Sequence, residues 1–308
     1  LANILKTPVQ IVWDRADDLR GGYYHPASAH GMSAIVDVGS QNILHYQHKV
    51  SAPSILRSSN PKSPDEAVVS TELLGAQDIP YGIDSIEISY HELPVHVPLW
   101  WWRAIQFVPN IYARECFIDE LAELLDYDPI EYRQLLLSKS TQDPATLSRL
   151  LNTISIAKEK SNWPNPSKKN RGLGMACMDY EGTTIVQIAE VSASKTRFKI
   201  HKIYTVMDCG LVVNPLGVKS QVEGAIVWAL SALKSQIHIK KGRVVEKNYK
   251  EYPVLRYSDM PEVDTTIVDS DRSPHGVGEP PVPCVIPAVL NAIVKAGGPR
   301  FRSLPLPK

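Results

Sequence analysis

The 308 residues include only four cysteines, Cys116, Cys177, Cys209 and Cys284, and no Cys-x-x-Cys pair. Zinc and iron–sulfur centres show at least one closely spaced pair, so this spacing argues against either in the chain. So few, so scattered, the cysteines also argue against a disulfide framework, and at least two are expected to act as small buried side chains. A charge surplus is missing too: 33 Lys and Arg balance 33 Asp and Glu. Binding to nucleic acid or to an anionic membrane draws on an excess of cations, so neither partner is expected. No apolar run reaches the roughly 18 residues of a membrane span. The chain is therefore expected to be soluble, cytoplasmic or periplasmic with no signal to choose between them. It opens at Leu1, without Met and without a basic-then-apolar leader. That start reads as a mature product or part of a longer polypeptide whose targeting signal lies elsewhere. Gly-x-Gly-x-x-Gly, Gly-Lys-Ser/Thr and Gly-x-Ser-x-Gly are all absent, which leaves no glycine-rich phosphate cradle and no serine-hydrolase elbow.

What is there is globular. Hydrophobic residues make up 44% and charged residues 21%, and the length suggests about two domains. Proline outnumbers glycine, 24 to 17, which favours shaped, rigid loops between short elements. Val9–Trp13 reads as a strand, and Ala34–Val38 and Ile43–His48 as a hairpin about Gly39–Asn42. Residues 58–80 open as a polar, Pro-rich surface loop, and Ile86–Tyr90 is a further strand. Helical spacing begins after Pro109-Asn110. A second helix is signalled by Asp128-Pro129-Ile130-Glu131, which combines an N-cap, a first-turn proline and a third-position acid. Residues 138–170 read as a connection containing one short helix, which sets a boundary at 142. Beyond it lie strands at Ile185–Val191 and Phe198–Met207 and a helix from Asn214-Pro215 to about Leu233. Gly224, Ala225, Ala229 and Ala232 on that helix imply close backbone packing. Extended stretches follow at Tyr249–Tyr257 and Glu262–Ile267, then a last helix near Pro287–Ala296. The fold class is α+β, in two parts.

Chemistry concentrates in His275-Gly276-Val277-Gly278-Glu279-Pro280-Pro281-Val282-Pro283. Glycines allow close backbone approach, prolines stiffen the loop, and one carboxylate is fixed between them, as a general base requires. The same residues also suit a tight turn with an outward-facing glutamate. His91 and His96 are either a metal pair or ordinary strand-loop histidines. Asp208-Cys209-Gly210 reads as a strand-to-helix turn rather than a reactive thiolate, since no adjacent base lowers the thiol pKa.

Taken in order, several segments resemble the molybdenum-cofactor subunit of the xanthine dehydrogenase and aldehyde oxidoreductase superfamily, most nearly its isoquinoline 1-oxidoreductase-type beta subunits. They are Pro8–Asp18, Trp102-Arg103-Ala104, Glu115–Ala122 with Asp128–Arg133, Ala189-Glu190-Val191, Met207–Gly210 and Asn214-Pro215. Gln221-Val222-Glu223-Gly224, Gly278-Glu279-Pro280 and Arg300–Pro305 complete the set. Each is short, and their order covers almost the whole chain. The resemblance implies two mixed α/β-layered parts of a molybdenum-hydroxylase large subunit, the first incomplete: residues 1–142 end the first molybdopterin-binding domain and residues 143–308 form the second. It implies a molybdenum–molybdopterin cofactor, as a cytosine dinucleotide, with no protein ligand to the metal and no iron–sulfur cluster in this chain. Glu279 matches a base that deprotonates a metal-bound hydroxide, whose oxygen attacks an electron-poor carbon of an N-heterocycle or aldehyde while hydride moves to a sulfido group.

By the same resemblance Gln221 contacts the pterin and Arg103 lies in a loop beside the metal ligands. Gly278 belongs to the cofactor loop, and Gly182 and Thr183 give a backbone-rich dinucleotide contact. Implied partners are the N-terminal half of the same subunit, a [2Fe-2S] subunit and a small-molecule substrate. Trp100, Trp101 and Trp102 wall a substrate funnel or pack at a core or interface. The chain departs from the family pattern at Gln106, where glycine is usual and a side chain is expected to crowd the cofactor, and at His275 and Pro281. It also lacks the glycine-rich cofactor loop that precedes Pro8–Asp18 in the family. The alternative reading is a fragment or assembly module that binds no cofactor and is inactive alone.

Overall fold

The hairpin about Gly39–Asn42 forms as expected. The computed structural model describes residues 1–306 and sets β1 (Ala29–Asp37) antiparallel to β2 (Asn42–Ala52), with β3 (Ile86–Glu92) returning parallel to β2. Four short helices share this part of the sequence: α1 (Ala2–Leu5), α2 (Arg15–Gly21), α3 (Ile55–Ser59) and α4 (Asp65–Glu72). Residues 9–13 are not a strand but irregular and exposed. No neighbouring strand takes up their backbone groups, and Asp14 instead caps α2, accepting from Asp17 N at 2.9 Å while the Asp17 carboxylate accepts from Asp14 N. The polar 58–80 stretch likewise holds a helix, α4, with Val68 and Glu72 buried.

Helix α5 (Phe107–Leu124) starts ahead of Pro109, which fits in its first turn. Helix α6 (Pro129–Ser138) begins as its capping signature predicts, with the Asp128 carboxylate accepting from Ile130 N at 2.9 Å and Glu131 N at 3.1 Å. Helix α7 (Pro144–Lys160) is 17 residues long, not the short helix expected within 138–170. Asp143 caps it as Asp128 caps α6, and Leu147, Leu150, Ile154 and Ala157 form its buried stripe.

A second sheet runs β4 (Gly172–Tyr180), β5 (Thr183–Ala193), β6 (Phe198–Asp208) and β9 (Glu262–Ile267); the first three are antiparallel and β9 is parallel to β6. Between β6 and β9 lie α8 (Pro215–Lys234) and the small hairpin β7 (Ile239–Lys240) and β8 (Arg243–Val244). Residues 249–257 form turns and irregular backbone, not the extended segment expected. Helix α9 (Val285–Lys295) closes the fold.

Alternation on β4 and β5 feeds two cores. Ala176, Met178, Ile185 and Ala189 pack with α8 and α9, while Leu173, Met175, Cys177, Val186 and Ile188 pack with α6 and α7. Helix α5 contributes to both, so apolar packing runs across position 142. Helix α9 lies so close to β4 that a Cβ on Gly174 would stand 2.0 Å from Ala292 N.

A buried ion cluster ties α5, α6 and β4 together. Glu115 accepts from Arg114 Nε at 2.9 Å, Arg133 Nε at 3.0 Å and the Tyr81 hydroxyl at 3.0 Å, and Cys177 N reaches its second oxygen at 3.3 Å. Burial pushes the Glu115 carboxyl up, but Arg133 and Arg114 outweigh it and hold it below the ordinary value. The segments Glu115–Ala122 and Asp128–Arg133 thus meet in one structural device.

Candidate functional site

Strand β6 ends at Asp208, and the Met-Asp-Cys-Gly segment forms a bed for the loop that carries Glu279. Asp208 accepts from Gly210 N at 3.1 Å and from Arg272 at 3.0 Å. Cys209 O accepts from His275 N at 2.8 Å, and Leu211 N donates to Arg272 O at 2.9 Å. Gly210 adopts φ +76, and a Cβ there would lie 2.1 Å from Ser273 O, so both conformation and close approach require glycine. The Cys209 thiol is buried, and burial pushes its pKa up. It is part of the turn, not a reactive thiolate.

Two side chains on one face of β5 then hold the loop on either side of Glu279. Thr183 Oγ1 donates to Gly276 O at 2.8 Å, and Gln187 Nε2 donates to Pro281 O at 3.1 Å and to Thr205 Oγ1 at 3.2 Å. Gln187 and Thr205 were not anticipated. A glutamine inside the apolar run Thr183–Val191 was the available signal, because a buried amide must find partners.

The other part of the chain supplies Arg103 and Ala104. Arg103 Nε donates to Gly278 O at 2.6 Å, and its Nη2 donates to Gly278 O and, at 3.0 Å, to Gln221 Oε1. Ala104 N donates to Glu279 Oε1 at 2.9 Å, and the Tyr180 hydroxyl donates to Glu279 Oε2 at 3.0 Å. Ala104 and Ile105 adopt φ 66 and 39, two successive non-glycine residues in the left-handed region, which costs backbone energy. Burial lowers the Arg103 pKa against the opposing pull of Glu279, and burial followed by the Glu279 charge raises that of Tyr180.

Glu279, Arg103, Gln221 and Gly278 therefore converge, across 175 residues of sequence between Arg103 and Gly278. Gly182 and Thr183 lie beneath the same loop with their polar groups occupied. Gly182 N donates to Asp179 at 3.0 Å, and Gly182 O accepts from Arg149 at 2.8 Å and Arg272 at 3.2 Å. Gly182 adopts φ +90, and a Cβ there would lie 2.5 Å from the His275 ring. Gln106 does not crowd the site. Its buried amide turns away to Glu72, which also caps α3 by accepting from Ile55 N at 2.8 Å.

A cavity of about 400 Å³ opens beside Gln221, between the first turns of α8 and residues 274–277, and Glu279 does not line it. Gly224, expected in close helix packing, instead faces the Arg103 guanidinium, 3.8 Å from where its Cβ would be. Trp102 packs 5.9 Å from Trp228 and 6.3 Å from His25, whereas Trp100 stays 44% exposed and Trp228 46%. His91 and His96 are both exposed, and no group of three metal-ligating side chains is gathered among the described residues. No helix among them is long and apolar enough to cross a membrane.

Comparison with known proteins places this arrangement beside cofactor-binding relatives. The chain is similar to the molybdenum-cofactor-binding subunits of the xanthine dehydrogenase family. Its residues 157–261 match the molybdopterin cofactor-binding domain. It is 28% identical over 306 residues to the beta subunit of isoquinoline 1-oxidoreductase from Brevundimonas diminuta, covering 97% of this chain and 38% of that one. A nicotinate dehydrogenase subunit from Pseudomonas putida is 28% identical over 248 residues, 74% of this chain and 20% of that one. The crystal structure of quinoline 2-oxidoreductase from Pseudomonas putida 86 shares the fold with a TM-score of 0.79 at 13% identity, covering 96% of this chain and 62% of that one. The chain thus spans well under half the length of the curated relatives it matches.

Proposed function

We propose that this chain is the catalytic portion of a molybdenum hydroxylase that oxidises an N-heterocycle or an aldehyde, with Glu279 as general base. The observation that carries the reading is the convergence of Glu279, Arg103 and Gln221 on space that three glycines leave open. A Cβ on Gly276 would meet nothing within 4 Å; one on Gly278 would meet only Gln221, at 3.9 Å, and one on Gly224 only Arg103. None of the three has the positive φ that would call for glycine. Such a cradle fits a flat pterin. The exposed Gln221 amide and the Gly278 backbone would hold it, with Arg103 countering negative charge.

When bound, this cofactor supplies a metal-activated oxygen and a two-electron acceptor. The chain supplies the rest. Glu279 sits half-buried with both carboxylate oxygens held, so the chain would offer a bound reacting group a proton acceptor of fixed position. Arg103 ties the glutamate loop to α8 and so fixes the base relative to the cofactor contact. Gly182 and Thr183 act by setting the height of the 275–276 loop, where the cytosine dinucleotide end of the cofactor would lie. Residues 1–142 end one cofactor-binding domain and residues 143–308 form the next. The substrate pocket is completed by the N-terminal half of the subunit, which covers Trp100 and Trp228, and electrons leave through a [2Fe-2S] subunit. N-heterocycle chemistry is supported by the names of the relatives, isoquinoline 1-oxidoreductase and nicotinate dehydrogenase.

The test is a pair of variants in the assembled protein. Glu279→Gln keeps shape and loses the proton acceptor, so turnover per molybdenum falls by roughly 10²–10⁴-fold with metal content unchanged. Gln221→Ala lowers molybdenum and pterin content instead. Parent-rate turnover in Glu279→Gln overturns the assignment of the base, and a parent protein without stoichiometric molybdenum overturns the cofactor.

A further inference from the structure

We propose that Tyr180 is the positioning residue for the Glu279 carboxylate, and that Oε2, the oxygen facing it, is the one that receives the proton. The proposal rests on the reading of Glu279 as base. The two oxygens of Glu279 are held by donors of different kinds. Oε1 accepts from Ala104 N at 2.9 Å, and a backbone N–H can only donate. Oε2 accepts from the Tyr180 hydroxyl at 3.0 Å, and a phenol can donate or accept.

That difference decides where a proton can be accommodated. A proton on the Oε1 lone pair that accepts from Ala104 would confront an N–H with no way to reverse, so that oxygen has only its remaining lone pair to offer. A proton on Oε2 is met by rotation of the Tyr180 O–H, after which the phenol oxygen accepts from the new carboxylic acid. The added proton is the one Glu279 takes from the reacting group, and Tyr180 neither gains nor loses a proton. Burial keeps the phenol protonated, and the glutamate charge adds to this before the proton arrives.

Packing fixes the phenol in place. Tyr180 is 6% exposed, and its ring lies 4.3 Å from that of Phe107, the first residue of α5. Phe107 follows Ala104 by three residues, so the segment that presents the Ala104 N–H also wedges the tyrosine. Both donors therefore move together, and the carboxylate plane is set by one packed unit.

Tyr180→Phe retains the ring and its contact with Phe107 and removes the hydroxyl alone. In the assembled, loaded protein kcat is expected to fall roughly 10- to 100-fold, the scale of a lost hydrogen bond to a charged group, with KM and metal content unchanged. A second readout does not depend on turnover. The infrared carboxylate band assigned to Glu279, by difference against Glu279→Gln, shifts in Tyr180→Phe, while the variant still unfolds in a single cooperative transition. An unmoved band overturns the proposal, as does turnover within twofold of parent in Tyr180→Phe when Glu279→Gln is disabled. Parent-rate turnover in Glu279→Gln overturns the base reading itself, and that result is obtained without the tyrosine variant.

Discussion

Replacing Glu115 with glutamine is expected to destabilise the chain more than any single change at the candidate site. The side chains of Glu115, Arg114, Arg133 and Asp119 are between 0 and 1% exposed. Two guanidiniums and two carboxylates balance there, but the partners are unequal. Glu115 contacts both arginines at 2.9 and 3.0 Å, whereas Asp119 contacts only Arg133, at 3.4 Å, and its Oδ2 has no partner. Burial raises the Asp119 carboxyl despite Arg133. Glu115→Gln therefore leaves two buried cations facing one weak counter-charge. Removing one member of a buried pair costs about 3–5 kcal/mol, a large share of the 5–15 kcal/mol typical of a folded domain. Urea unfolding of the full chain, followed by tryptophan fluorescence, reads this as a lower midpoint. Asp119→Asn should lose distinctly less, because it breaks one long contact and relieves an unpartnered oxygen. A loss below about 1 kcal/mol for Glu115→Gln, or equal losses for the two variants, would refute the electrostatic account.

Acid should weaken the first sheet. His30 Nδ1 and His48 Nε2 lie 2.9 Å apart, and burial lowers their pKa values to about 4 and about 3. Both rings are neutral at pH 7 whether folded or unfolded, but below about 6.5 the unfolded chain binds protons that the folded chain refuses. Stability thus falls by up to about 1.4 kcal/mol per pH unit per histidine and levels off below the folded values. His48→Gln should flatten this slope in urea titrations at successive pH, and an unchanged slope would count against the buried pair. Among the glycines, Gly174→Ala drives a methyl into Ala292 N and should lower stability by about 1–3 kcal/mol. Gly276→Ala meets nothing in the chain, so its thermal midpoint should match the parent while cofactor retention falls; equal midpoints for both variants would contradict the packing described.

The elements legible in the sequence were those with a local cause. Asp128-Pro129 and Asn214-Pro215 announced α6 and α8, because a cap and a first-turn proline act within one turn of helix. Asp143-Pro144 carried the same signal for α7 and was overshadowed by the polar residues around it. Strand β4 could not be read this way. Gly172, Gly174 and Ala176 are poor strand formers, and they are extended because β5 pairs with them and α9 needs room against them. The apolar run at 9–13 failed in the opposite sense, since hydrophobicity without a neighbouring strand yields no ladder.

The site divides along a similar line. Composition exposed the Gly278-Glu279-Pro280 loop but could not separate a held carboxylate from an outward-facing one, because the groups that hold it sit at Tyr180, Thr183, Gln187 and Ala104. The segments that carry the family resemblance are also of two physical kinds, which sequence alone does not distinguish. Glu115 with Arg133, and Asp208 with Gly210, are fully engaged by the chain itself, so their residue types are explained by the frame they hold. Gly276 and Gly278 are held only through their carbonyl groups and the exposed amide of Gln221 only through its oxygen, which leaves the space in front of the two glycines unexplained. A glycine walled in at 2.1 Å, as Gly210 is, accounts for itself, whereas one with 4 Å of free space in front of it does not. On the proposed reading a bound cofactor accounts for the second kind, and Glu279 follows Gly278 directly with both of its oxygens already oriented.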